Sequence, residues 1–279
     1  MPFSFIQLAD TQFGMSSGLS GKSDEDIAAF AARGLKVNKE PKFEGYEPET
    51  KAFEEAIRQA NDRNSEFVVV CGDMVNNSES TEERDEVMRI ASQLDENISI
   101  YWIAGNHDVA TDAIVPTPSS MAAYRKHWGD DYYSFQHGDV SFIALNTSLM
   151  DQPEHVGGDV ESQMRFLKAE LQAAKKRDSS RVIVFTHHPL FLVDADEEDN
   201  YFSVKKAQRM PVIELLKEYG VSAVFAGHWH RNNYAEHDGM LMIATGAVGY
   251  PLGDDDSGYR VVDVTDDDIA HNYYEFGFR

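Results

Sequence analysis

The chain has 279 residues, 42% hydrophobic and 26% charged, the balance of a globular protein long enough to bury a sizeable core. Its 25 basic and 48 acidic residues leave a formal charge of −23, a field that repels phosphate backbones and argues against a nucleic-acid partner. No stretch approaches the roughly 20 apolar residues of a membrane span, and Cys71, the only cysteine, excludes an internal disulfide.

At the N-terminus, Met1-Pro2-Phe3-Ser4-Phe5 lacks the basic region of an export signal, so a cytoplasmic location with no membrane partner is expected. Phe3–Ala9 reads as a buried strand and ends in Asp10-Thr11-Gln12. Gly14–Pro48 is irregular, with a short helix expected at Asp24–Ala32. Phe53, Ala56, Ile57 and Ala60 recur at helical spacing. Two strands follow: Phe67–Cys71 ends in Gly72-Asp73, and Ile98–Ala104 ends in Gly105-Asn106-His107-Asp108. Val140–Leu145 is a strand that runs into Asn146, and Met164, Leu167, Leu171 and Ala174 mark a helix. Arg181–Thr186 ends in His187-His188-Pro189, and the acidic stretch Asp194–Asn200 reads as a loop or pocket rim. Val212, Leu215, Leu216 and Tyr219 form another helical stripe, and strand Val221–Ala226 ends in Gly227-His228-Trp229-His230. Leu241–Ala244 and Tyr259–Val264 are strands joined by short turns, so part of the sheet is expected to be antiparallel. The alternation implies an α/β protein, and without a linker the expectation is a single domain over residues 1–279.

Five apolar strands therefore finish in acid, amide or imidazole side chains, at the strand ends where open α/β sheets bind ligands. Residues two apart in extended chain point the same way, so Asp10 with Gln12, and His228 with His230, are each expected to aim a pair of donors at one place. Carboxylate, amide oxygen and imidazole suit Mn, Fe or Zn. The absence of thiolates argues against a structural zinc finger.

The series Asp-x-Gln, Gly-Asp, Gly-Asn-His-Asp, His-His-Pro and Gly-His-x-His resembles the calcineurin-like metallophosphoesterase superfamily over almost the whole chain. The resemblance implies a four-layer α/β/β/α sandwich with two mixed sheets and a site for two divalent or trivalent metal ions. Position by position, it implies one ion at Asp10, Gln12 and His230 and the other at Asn106, His187 and His228, with Asp73 bridging. His107 would protonate the leaving group and Asp108 would orient it; Asn106, His107 and Arg231 would contact the phosphate. Gln12 stands where most members carry histidine, which weakens the first ion's ligand set. His188 is expected to be structural, Asn146 to brace Asp10 or His187, and Trp229 to pack away from the site. Tyr201, Phe202 and Tyr250 are expected at the pocket mouth.

The Asp-x-Gln-Phe-Gly start, Trp128–Phe135 and Pro189-Leu190-Phe191-Leu192 resemble the CPPED-type phosphatase subgroup. This implies a phosphomonoesterase, with a protein serine/threonine phosphatase in view and a phosphorylated small molecule or phosphoprotein as partner. In this scheme a metal-activated hydroxide attacks phosphorus. The alternatives are a cyclic-nucleotide or other phosphodiesterase and, in another class, a catalytically weak metal-binding scaffold or sensor.

Overall fold

Short runs of Val, Ile and Phe become strands because they can bury both faces, and the longer amphipathic runs become helices that cover them. The computed structural model describes residues 2–110 and 115–278. In chain order the elements begin β1 (Phe3–Leu8), α1 (Met15–Leu19), α2 (Asp24–Ala32), α3 (Glu47–Asp62), β2 (Phe67–Val70) and α4 (Thr81–Ala91). Next come β3 (Ser99–Trp102), α5 (Asn106–Val109), α6 (Pro118–Trp128), β4 (Tyr133–His137), β5 (Val140–Ala144), α7 (Thr147–Asp151) and α8 (Gly157–Lys176). The chain finishes with β6 (Arg181–Phe185), α9 (Lys206–Glu218), β7 (Ala223–Ala226), β8 (Asn233–His237), β9 (Met240–Ala244), β10 (Gly258–Val264) and β11 (Ile269–Glu275).

The strands form two mixed sheets, β11-β10-β1-β2-β3 and β4-β5-β6-β7-β9-β8. In the first, β1 runs parallel to β2, with Ile6 opposite Val68, and antiparallel to β10, with Phe5 opposite Val262. In the second, β5, β6, β7 and β9 are parallel, and β4 and β8 close the two edges as antiparallel hairpin partners. The sheets face each other across an aromatic core. Phe5 and Phe67 stack there at 4.7 Å, and Phe142 lies parallel to Phe185 at 5.8 Å. Outside the first sheet, Phe53, Ala56 and Ile57 of α3 and Val87 of α4 cover Ile6, Leu8 and Val68. Outside the second, Leu167 and Leu171 of α8 and Val212 and Leu216 of α9 cover Val184 and Val224. Two helical layers thus enclose two sheets, which is the expected α/β/β/α sandwich.

The central strands and the three helical stripes lie where hydrophobic periodicity puts them, and α2 spans the expected residues. Tyr219 is the cap residue after α9 rather than part of the helix. Three strands escape the sequence reading, β4, β8 and β11, and each lies at a sheet edge. An edge strand is paired on one side and half exposed, so its residues are mixed in polarity and carry no continuous apolar run.

Candidate metal centre

The loops that follow β1, β2, β3, β6 and β7 meet at one end of the sandwich and bring the motif residues together. Asp10 N–H donates to the Gly72 carbonyl at 3.0 Å and Gln12 N–H to the Asp73 carbonyl at 2.8 Å, joining the first two loops. His187 Nδ1 donates to the Cys71 carbonyl at 2.8 Å, which carries the link across to the second sheet. The His228 N–H closes the circle on the Asp10 carboxylate at 3.0 and 3.2 Å.

The paired donors do not converge through extended backbone, as the spacing suggested. Asp10, Gln12, Asp73, His228 and His230 all have left-handed backbone, with φ of 52°, 36°, 52°, 61° and 53°. Side chains with a Cβ pay roughly 1 kcal/mol or more for that conformation. They are five of the eight such non-glycine residues among the described residues, so the strain is concentrated where the loops carrying the candidate ligands turn. The neighbouring glycines permit close approach. A Cβ on Gly72, itself at φ 85°, would lie 2.4 Å from His187 Nδ1, and one on Gly105 would lie 2.2 Å from Asp73 N and Oδ1.

The donor atoms face a common interior. Ligand atoms of Asp10, Asp73 and His187 lie within 4.8 Å of one another, as do ring nitrogens of His187, His188 and His228. His187 Nε2 stands 3.3 Å from Asp73 Oδ2 and 3.0 Å from Asn106 Oδ1. His230 Nε2 stands 3.3 Å from Asp10 Oδ1, and its Nδ1 donates to the Tyr250 carbonyl at 2.6 Å. Backbone carbonyls thus hold the Nδ1 protons of His187 and His230 and turn both Nε2 atoms inward. For His228 the roles reverse, because Nε2 donates to the Tyr201 carbonyl at 3.2 Å and leaves Nδ1 as the acceptor nitrogen.

Asp10, Asp73, His187, His228 and His230 are all buried. Two buried carboxylates side by side are costly unless a cation lies between them. Gln12 Oε1 is buried with no hydrogen-bond partner, an acceptor aimed into the structure without a donor to meet it. The orphaned amide oxygen and the converging acceptors fit bound cations. The titration behaviour has the same cause. Burial opposes ionisation of Asp73, but the charges of His187 and then His107 hold its carboxyl far below the usual range. Burial opposes a charged His187, but Asp73 outweighs it and lifts the imidazole to about 9. Burial and then His187 push His228 down to about 4, and burial with His228 keeps His188 neutral.

His107 follows Asn106 at the start of α5. Its N–H donates to Asp73 Oδ1 at 2.9 Å and its Nδ1 to the Asn76 carbonyl at 2.9 Å. Asp108, expected to orient the His107 ring, instead accepts backbone N–H groups from Asp73 (2.7 Å), Met74 (2.8 Å), Val75 (3.3 Å) and Gly105 (2.9 Å). It therefore ties the Asp73 loop to the Asn106 loop. Arg231, expected at the phosphate, turns to the protein: Nε and Nη2 donate to the Leu252 carbonyl at 3.2 and 2.8 Å, and Nη2 also reaches the Gly34 carbonyl. Asn146 caps α7 through Ser148 N–H and holds Asp131 at 3.1 Å, so it braces a helix rather than a ligand. Its neighbour Thr147 bonds His188 Nδ1 at 3.1 Å. Trp229 packs on Phe202 at 4.4 Å, and Tyr201 and Phe202 line the cavity over the donors as expected. Tyr250 is buried behind the wall of this cavity, away from its mouth.

Sequence reasoning passed over two residues that hold the site. Glu83 accepts the Asn76 and Asn77 N–H groups at 2.9 and 2.8 Å, and the Asn76 carbonyl holds His107. Glu83 lies in a helix of many charges, where one functional acid looks like any solvated one.

The family model described as calcineurin-like phosphoesterase matches residues 3–232. The serine/threonine-protein phosphatase CPPED1 of Bos taurus is 34% identical over 280 residues, covering 98% of this chain and 83% of that protein. Its Homo sapiens counterpart is 33% identical with the same coverage of 98% and 83%. Among solved structures, a dimetal phosphatase from Danio rerio superposes with a TM-score of 0.63 at 17% identity, covering 98% of this chain and 99% of that one.

Proposed function

The chain belongs to the calcineurin-like phosphoesterase family and is a metal-dependent phosphatase, and from that premise we propose that it removes phosphate from phosphoserine or phosphothreonine in proteins. Asp10, Gln12 and His230 would hold one ion and Asn106, His187 and His228 the other, with Asp73 placed to serve either. The observation that carries this assignment is the convergence of buried acceptors on one interior, with Gln12 Oε1 left without a donor. His188 stands beside His187 and His228 with its Nδ1 on Thr147 and braces that side of the site. The donor set favours Mn, Fe or Zn. When bound, two such ions neutralise phosphoryl charge and make water a nucleophile near neutral pH.

The chain's own residues supply the rest. His107 stands beside Asp73 and Asn106 beside His187, where the equatorial oxygens of the transferring group would need donors. With Nδ1 held by Asn76, Nε2 of His107 is the ring atom that gives a proton to the leaving alkoxide, worth ~10²–10⁴-fold in rate. Asp108 acts through the backbone and keeps Asp73 and Asn106 in register. Relatives that are phosphatases favour monoester over diester hydrolysis and an enzyme over a scaffold. A cytoplasmic location fits the single buried thiol, and no helix among the described residues is long and apolar enough to cross a membrane.

Metal analysis with a phosphatase panel that includes phosphopeptides tests the reading. Asp73→Asn is expected to lose bound metal and at least about 100-fold in turnover. Retention of full metal content and full turnover overturns the assignment.

A further inference from the structure

The cavity over the donor set has a wall that neither metal binding nor proton transfer uses. The cavity measures ≈ 290 Å³, and beyond the polar donors it is lined by Met15, Leu19, Phe30, Leu35, Phe202 and Leu252. These side chains form an apolar cluster of their own, separate from the three cores of the sandwich, in which Leu35, Val37, Tyr250 and Leu252 are buried. Helix α2 buries none of its residues, so it adds nothing to a core, and its Phe30 is spent on this wall.

The wall is fastened to the ligand loop. Arg231 adjoins His230, grips the Leu252 and Gly34 carbonyls, and lies 4.4 Å over the Trp229 ring. Arg33, at the rim, is the one permanently cationic side chain lining the cavity, and among the described residues no carboxylate pairs with it. On a chain of charge −23 this exposed side chain offers a dianionic ester a local positive charge at the cavity.

Resting on the phosphatase reading, we propose that this wall is a specificity pocket. The enzyme selects phosphomonoesters whose alcohol carries a leucine- or phenyl-sized apolar group, which seats against Leu19, Phe30 and Leu35 while the phosphate occupies the donor set. Ligand cavities run from about 300 to 1,000 Å³, so this one sits at the small end and takes one such group beside the phosphate. A buried methylene is worth about 0.8 kcal/mol, so kcat/KM rises roughly 2- to 4-fold per carbon and levels off near hexyl. The group is either the body of a small ester or the side chain that flanks a phosphorylated residue in a protein.

The test uses the metal-loaded full chain and n-alkyl phosphates from ethyl to octyl, whose leaving groups are equally poor. The expected result is a rising series with a plateau. The hexyl-to-ethyl ratio collapses in Leu19→Ser and Phe30→Ser, both half-buried positions outside the main cores, and is retained in Phe30→Leu. A matched pair of phosphoserine peptides with Leu or Ser beside the phosphoserine separates the sources. Preference for the Leu peptide identifies a protein substrate, and indifference with a steep alkyl series identifies a small one. A flat alkyl series in the wild type overturns the pocket alone. Failure to hydrolyse any ester overturns the phosphatase reading and the pocket with it.

Discussion

Replacing Gly105 by alanine isolates the geometric demand of the metal centre. Gly105 has φ −96° and ψ 171°, which any residue adopts, so Gly105→Ala adds no backbone strain and only one methyl. That methyl would lie 2.2 Å from Asp73 N and Oδ1 and 2.9 Å from Asp108 Oδ2. Ordinary contacts to carbon are about 3.5 Å, so the Asp73 loop must move by roughly 1 Å. It cannot move cheaply, because its N–H is held by Asp108 at 2.7 Å. Overpacking of this kind costs about 1–3 kcal/mol and lowers the melting temperature by about 2–10 °C. Turnover suffers more, because a 1 Å misplacement at a catalytic centre costs about 10²-fold. Calorimetry and p-nitrophenyl phosphate turnover read the two effects, with metal content measured on the same preparation. Wild-type turnover with full metal and an unchanged melting temperature would refute the claim that Gly105 exists to let Asp73 approach.

His107→Asn is expected to keep its metal and lose ~10²–10⁴-fold in turnover of alkyl phosphates, but far less with p-nitrophenyl phosphate, whose leaving group needs no proton; equal losses on both substrates remove the proton-donor role. His187 is lifted from 6.5 to about 9, against burial, by Asp73. A folded-state pKa above the unfolded one stabilises fully below about 6.5 and is lost as pH rises through 9. The metal-free chain should therefore lose thermal stability across that window, whereas in the loaded chain the ligand imidazole is already neutral and the loss is absent; a flat metal-free profile contradicts the Asp73–His187 pairing. Arg209 is buried and its guanidinium donates to the Ala195 and Val204 carbonyls at 2.9 and 3.0 Å and to that of Glu197. Arg209→Met should cost about 2–4 kcal/mol in urea unfolding and loosen the loop that carries Tyr201; an unchanged midpoint shows that the loop does not depend on it.

Much of this molecule can be read from its residues in order. Parallel strands buried on both faces must be apolar throughout, so β1, β2, β5, β6 and β7 stand out as runs of Val, Ile and Phe. The polar residues at their ends are conspicuous because such runs seldom stop on a histidine or aspartate without reason. Hence the motif residues are legible from the runs themselves, and the layer order and chemical class follow from the family resemblance that those motifs carry.

The rest depends on partners far apart in the chain. Asp108 and Asp73 are 35 residues apart, and Arg231 and Gly34 are 197 apart, so no local pattern predicts that Asp108 bonds backbone or that Arg231 clasps the cavity wall. The segment Gly14–Pro48 has no sustained period because it packs around a cavity rather than on a flat sheet, and its apolar residues find one another only when the 250–253 loop folds over them. Sequence alone determined the central strands, the covering helical stripes and which strands end in candidate ligands, because burial leaves a periodic signature at short range. Tertiary structure alone decided the left-handed turns at the candidate ligands, the holding roles of Asp108 and Arg231, and the apolar wall beside the proposed phosphate site, because these are choices among long-range partners.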